Sequence, residues 1–117
     1  MGLRFLLPAV LVAAAALAVA GCGGSSSSSG KPGAIDVVVT TTQLGDVVKA
    51  IGGDAVDVHQ ILRPNTDPHD YEPRPKDIEA TAGAKLVITS GDNLDQWMGD
   101  VLSNAGGHPA VLDAGAG

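Results

Sequence analysis

Residues 35–62 read IDVVVTTTQLGDVVKAIGGDAVDVHQIL, and the changes of rhythm inside that stretch decide the fold class. Ile35 to Thr40 is a short β-branched run. Such side chains are stiff at their first torsion and pack well on a pleated surface, so a buried strand is expected. The apolar residues Leu44, Val47, Val48 and Ile51 then follow the i, i+3, i+4, i+7 spacing of one helical face. Thr41 or Thr42 can cap that helix, and Gly52-Gly53 can end it, because glycine turns left-handed without a Cβ penalty. Val56 to Leu62 alternates apolar and polar residues before turning apolar, the mark of a second strand.

The same alternation continues toward the C-terminus. Pro75 suits the first turn of a helix, where its missing N–H would have no partner. That helix is expected to run through Ile78 and Ala82 and to stop at Gly83. Leu86 to Thr89 makes a third strand, and Leu94, Trp97, Met98, Val101 and Leu102 mark a third helix, ended by Gly106-Gly107. Ala110 to Leu112 makes a fourth strand. Strands separated by helices of this length imply right-handed crossovers and a parallel α/β sheet. In such sheets ligands sit in loops beyond the carboxyl ends of the strands.

Before residue 34 the chain has a different character. Met1 to Arg4 is a short basic start, Phe5 to Ala20 is almost unbroken apolar, and small residues lead to Cys22. The run is shorter than the roughly 20 residues a bilayer span requires, so residues 1–21 read as a secretory signal. Cys22 is the only cysteine, so it has no internal disulfide partner. The small residues ahead of it resemble a bacterial lipobox, which implies that Cys22 is lipidated and anchors the chain to the outer side of a membrane. Gly23 to Gly33, GGSSSSSGKPG, offers no apolar side chain to bury and reads as a tether. The folded part then spans 34–117.

Composition narrows the partners. Without Arg4 the chain has six basic residues against thirteen acidic ones. So acidic a body is a poor phosphate binder, which disfavours nucleic acid, and it suits cationic ligands or simply solubility. With one Trp, one Tyr and one Phe, the core must be aliphatic and small.

The chemistry concentrates in residues 63–75, RPNTDPHDYEPRP. Pro64, Pro68, Pro73 and Pro75 surround His69, and each proline fixes its own φ and keeps the preceding residue out of the helical region. Imidazole is the commonest side-chain ligand for transition metals and binds when neutral. Asp67, Asp70 and Glu72 make the surroundings negative, and one of them could accept the second ring N–H of His69. The residues alone leave open that His69 is an ordinary loop histidine in a rigid connection. His59 within a strand and His108 within a turn read as packing or surface residues, and Trp97 and Met98 as core. Glu72 and Asp77 lack a nucleophile or second histidine beside them, so they do not make a catalytic centre. Asp46 reads as a helix-dipole residue.

Val37 to Thr42, Asp46, Ile51 to Asp54, Asp67 to Pro73, Lys76 to Ile78, Ala84 to Val87, Gly91, Leu94-Asp95 and Trp97 together resemble the N-terminal lobe of the metal receptors that serve ABC importers of zinc, manganese or iron. The resemblance covers residues 35–104, and its most specific part is Asp-Pro-His, an aromatic, Glu and Pro. It implies an extracytoplasmic solute-binding lipoprotein, not an enzyme, that is monomeric, has an ABC permease as its partner and carries a divalent transition metal, zinc or manganese foremost, as cargo. It also implies His69 as the first metal ligand. The second would be a histidine beyond the fourth strand and the others would come from a second lobe, so this chain is expected to be an N-terminal piece with an incomplete ligand set. Two positions depart from the family pattern. Asn65 stands where glycine is common, although Asn tolerates positive φ. Arg74 stands where serine often caps the next helix, which predicts a weaker helix start. Two other readings compete: an adhesin-like surface lipoprotein, and a small hydrolase using His69 and Asp70.

Overall fold

Val37, Val38 and Val39 are almost wholly buried, and successive side chains on this strand enter different apolar layers. That alternation follows from the pleat, which sends neighbours to opposite faces. A computed structural model describes residues 30–117, and the expected signal segment, Cys22 and residues 23–29 of the Gly/Ser tether lie outside the described residues. The elements are β1 (Ile35–Val39), α1 (Thr42–Gly52), a 3-10 turn (Gly53–Ala55), β2 (Val56–Gln60), α2 (Pro75–Gly83), β3 (Leu86–Thr89), α3 (Met98–Ala105) and β4 (Ala110–Asp113).

The four strands form one sheet in the order β2-β1-β3-β4, with every pairing parallel. This is the α/β architecture expected from the sequence. β2 ends at Gln60, two residues earlier than its pattern predicts, but Ile61 and Leu62 continue the ladder by donating to the carbonyls of Val39 and Thr40. The order reverses between β1 and β3, so the carboxyl ends of these two strands flank the crevice where open α/β sheets receive ligands.

One face packs Val38 and Val87 with Ile61, Ala84, Met98 and Val101, and Ile78 of α2 lies against them. The other packs Val37, Val39 and Ile88 against Leu44 and Val48 of α1. The fully buried valine, isoleucine and methionine side chains among these each contribute roughly 1.5–3 kcal/mol relative to exposure, so a chain with three aromatics can still build a core.

Two helices differ from their sequence expectation. On α1 the apolar stripe that meets the sheet is the part-buried pair Leu44 and Val48, since Val47 is half-exposed and Ile51 is 83% exposed. Gly45 is buried in their place, because a Cβ there would collide with the Gln60 side chain; the helix therefore approaches β2 along its glycine. Thr41 is the N-cap, yet its hydroxyl bonds to Ser90 Oγ at 3.0 Å instead of capping, and so ties the end of β1 to the end of β3. Asp46 is exposed beyond the first turn of α1, too far along to act on the helix terminus.

α3 begins at Met98, so Leu94 and Trp97 precede it. Gly91, Asp92 and Asn93 all have positive φ (71°, 52° and 64°), which no right-handed helix allows. The turn is held by buried Asp95, whose carboxylate accepts the N–H groups of Ser90 (2.7 Å) and Gly91 (3.1 Å) and the hydroxyl of Thr40. Short polar side chains at 92 and 93 suit this backbone.

Candidate metal-binding loop

The segment between β2 and α2 leaves the carboxyl end of the sheet and returns to it. Its two ends meet, because Arg74 Nη2 donates to the carbonyl of Ile61 at 3.1 Å. Asn65 sits at φ 64°, the left-handed geometry that its side chain tolerates, and turns the chain outward.

His69 stands on this loop with 62% of its side chain exposed. Its N–H donates to Asp67 Oδ1 at 2.9 Å, and its Nδ1 lies 3.4 Å from the same oxygen. These contacts, the backbone N–H first, hold the Asp67 carboxyl below the usual carboxylate range. Of the three acids around the histidine, Asp67 is the one against its ring. Asp70 and Glu72 are exposed, and no hydrogen bond joins either to His69 among the described residues. Nε2 therefore points away from the Asp67 contact, which is the arrangement a metal-bound imidazole uses: one nitrogen for the ion, the other beside a carboxylate.

The loop is fastened from two sides. On one, the Trp97 indole Nε1 donates to the carbonyl of Pro68 at 2.6 Å. Its ring also meets that of Tyr71, with centroids 4.9 Å apart and planes tilted by 57°, within the roughly 4.5–7 Å range of favourable aromatic pairs. On the other side, the Tyr71 hydroxyl donates to Asp77 Oδ2 at 2.6 Å.

Asp77 is fully buried and gathers four residues' worth of partners. It accepts Tyr71, the Arg74 backbone N–H (3.0 Å), the Arg74 guanidinium (3.1 and 3.2 Å) and His59 Nε2 (3.0 Å), while its own backbone carbonyl accepts the Thr81 hydroxyl. Burial pushes its carboxyl up, but the bonds from Arg74, Tyr71 and His59 outweigh this and hold it at about 2. Burial, reinforced by the Asp77 bond, pushes the Tyr71 hydroxyl up. Arg74, whose side chain cannot accept a cap bond, thus does not leave the start of α2 unsupported: the Asp77 carboxylate, one turn inside, takes the Arg74 N–H instead.

Sequence reasoning missed Asp77 and Asp95 as buried polar nodes and part-buried His59 as a partner of the first, and it gave Trp97 only a packing role. The available signal was Asp77 itself, an acid three positions after the N-cap of a Pro-started helix, where a carboxylate satisfies orphan N–H groups. His59 is engaged by that carboxylate, and His108 precedes β4 at the opposite end of the sheet from His69. Among the described residues, no three His, Cys, Asp or Glu side chains converge to hold a metal ion.

Comparison with known proteins places this architecture. A family model described as the periplasmic component A of the zinc-uptake complex, ZnuA, matches residues 37–117. The iron ABC transporter substrate-binding lipoprotein MtsA of Streptococcus pyogenes serotype M1 is 35% identical over 88 residues, covering 72% of this chain and 28% of MtsA. The manganese ABC transporter substrate-binding lipoprotein PsaA of Streptococcus mitis is 37% identical over 75 residues, covering 61% of this chain and 24% of PsaA. Among solved structures, ZnuA superposes with a TM-score of 0.65 at 30% identity, over 72% of this chain and 33% of ZnuA. The periplasmic zinc-binding protein TroA of Treponema pallidum gives 0.62 at 32% identity, over 68% of this chain and 29% of TroA. The chain thus spans about a third or less of the length of these relatives, and it belongs to the ZnuA family of periplasmic metal-uptake receptor components.

Proposed function

We propose that this chain forms part of the N-terminal lobe of an exported receptor that takes up a divalent transition metal ion and presents it to an ABC permease, with His69 as a ligand. The observation that carries the reading is the setting of His69. It is exposed on a closed loop at the carboxyl end of a parallel sheet, with one side of its imidazole against Asp67 and the other free. The names of the relatives support the cargo class, since MtsA is named for iron, PsaA for manganese and TroA for zinc. Export with a lipid on Cys22 belongs to the same proposal, and the relatives named lipoproteins support it. Zinc sites use about four protein or water ligands, with three or four from protein, so one imidazole supplies part of a site.

The experiment is a zinc titration read on the ring resonances of His59, His69 and His108 by NMR. The expected result is that His69 shifts first, with an apparent Kd weaker than about 1 μM as befits a partial ligand set, and that His69→Ala removes the response of the loop. A loop response that survives His69→Ala contradicts the reading.

A further inference from the structure

We propose that Asp77 is a positioning residue for His69, acting through the hydroxyl of Tyr71. The proposal rests on the functional reading above and adds a residue that reaches no metal itself.

Three observations carry it. First, Asp77 is a fully buried carboxylate whose partners come from the strand before the loop (His59), from the loop (Tyr71) and from the junction of loop and helix (Arg74). A single side chain thus fixes the origin, the middle and the end of the segment that bears His69. Second, Tyr71 is two residues beyond His69, and its ring is pressed against Trp97, which in turn holds the carbonyl of Pro68, the residue just before His69. The histidine is therefore bracketed: Pro68 is tied to Trp97, Tyr71 is tied to Asp77, and the two tying side chains are joined by the aromatic contact. Third, His69 has little else to hold it. Its side chain is mostly exposed, and Asp67, its other contact, is equally exposed on the same loop.

A ligand left free in the unbound chain must be ordered when the ion arrives, and that ordering subtracts from affinity. Prolines restrict φ but leave the orientation of the loop relative to the sheet open. The Asp77 hydrogen bonds supply that orientation, because they connect the loop to elements of the rigid core.

The test compares Tyr71→Phe, Asp77→Asn and His69→Ala with the unaltered chain. Tyr71→Phe deletes only the hydroxyl and keeps the ring against Trp97. The expected result is that Tyr71→Phe weakens zinc binding at the His69 ring by about three- to tenfold, the range of one lost hydrogen bond, while the zinc response of His108 is unchanged. The His69 amide should also exchange with solvent several times faster without metal present, a readout independent of any ion. Asp77→Asn should give the same changes or larger where it folds. Wild-type zinc affinity at His69 together with unchanged amide exchange in Tyr71→Phe overturns the positioning role, even if melting temperature falls. Zinc shifts at the loop that survive His69→Ala overturn instead the assignment of His69 as a ligand, and faster amide exchange in Tyr71→Phe would still support the role of Asp77 in holding the loop.

Discussion

Trp97 and Pro68 are 29 residues apart in sequence, yet the indole N–H of the first donates to the carbonyl of the second at 2.6 Å. That bond joins the start of α3 to the loop after β2. It also explains why the aromatic at this position carries a polar edge, which a phenylalanine packed there would lack.

Trp97→Phe keeps most of the ring contact with Tyr71 and removes the donor. Leaving a part-buried carbonyl unpaired should lower stability by about 1 kcal/mol. Urea unfolding measures it, and the amide exchange of His69 should quicken in parallel. A variant as stable as the parent would show that solvent replaces the indole at no loss.

Asp77→Ala should be far more damaging. It leaves Tyr71, the Arg74 N–H and the part-exposed Arg74 and His59 side chains without their shared acceptor, and each buried donor left unpaired costs about 1–3 kcal/mol. The expected result is a chain that is unfolded, or nearly so, at room temperature by circular dichroism. Full native signal with a midpoint close to the parent's would contradict the buried node.

The same carboxylate gives the fold an acid sensitivity of defined sign. Its folded-state value, about 2, lies below the ordinary 3.8. A depressed carboxyl contributes stability that is fully present above the unfolded value and lost as pH falls through the folded one. Stability should therefore drop across the interval from about pH 4 to about pH 2, and Asp77→Asn, where it folds, should flatten that part of the curve. A profile unchanged by the substitution would assign the acid transition to other carboxylates.

Asn65 offers a backbone test. At φ 64° an alanine is strained and a glycine is not. Asn65→Ala should destabilise by about 1 kcal/mol and Asn65→Gly should be near neutral, both read by thermal unfolding. Equal midpoints for the two variants would mean that the turn relaxes to another geometry.

The element order was legible because burial here follows simple periods. Leu86 to Thr89 and Pro75 to Gly83 lie where the sequence puts them, and the first strand ends at Val39, one residue before the expected Thr40. Where the reading erred, tertiary packing decided. Ile51 fits the helical stripe of α1 but faces solvent, since Gly45 moves the contact line toward β2. Leu94 fits the stripe of α3 but falls in a turn that Asp95 holds by bonds to Ser90 and Gly91 within it and to Thr40 after β1. For the loop, the prolines and His69 could be read directly, whereas the side chains that hold them could not. Asp77, Tyr71, Trp97 and His59 come from four separate places in the chain, and hydrophobic periodicity carries no information about polar contacts between them. Arg74 is the clearest case: as a cap it reads as a defect, and only its distance to Asp77 and to the Ile61 carbonyl shows how it closes the loop.

The most direct measurement is anomalous diffraction at the zinc edge from crystals soaked in the metal. An ion about 2.0–2.1 Å from His69 Nε2, with Asp67 still beside Nδ1, is the result this account predicts. Zinc bound at His108 or among other carboxylates, with the His69 ring bare at full soak, would contradict it.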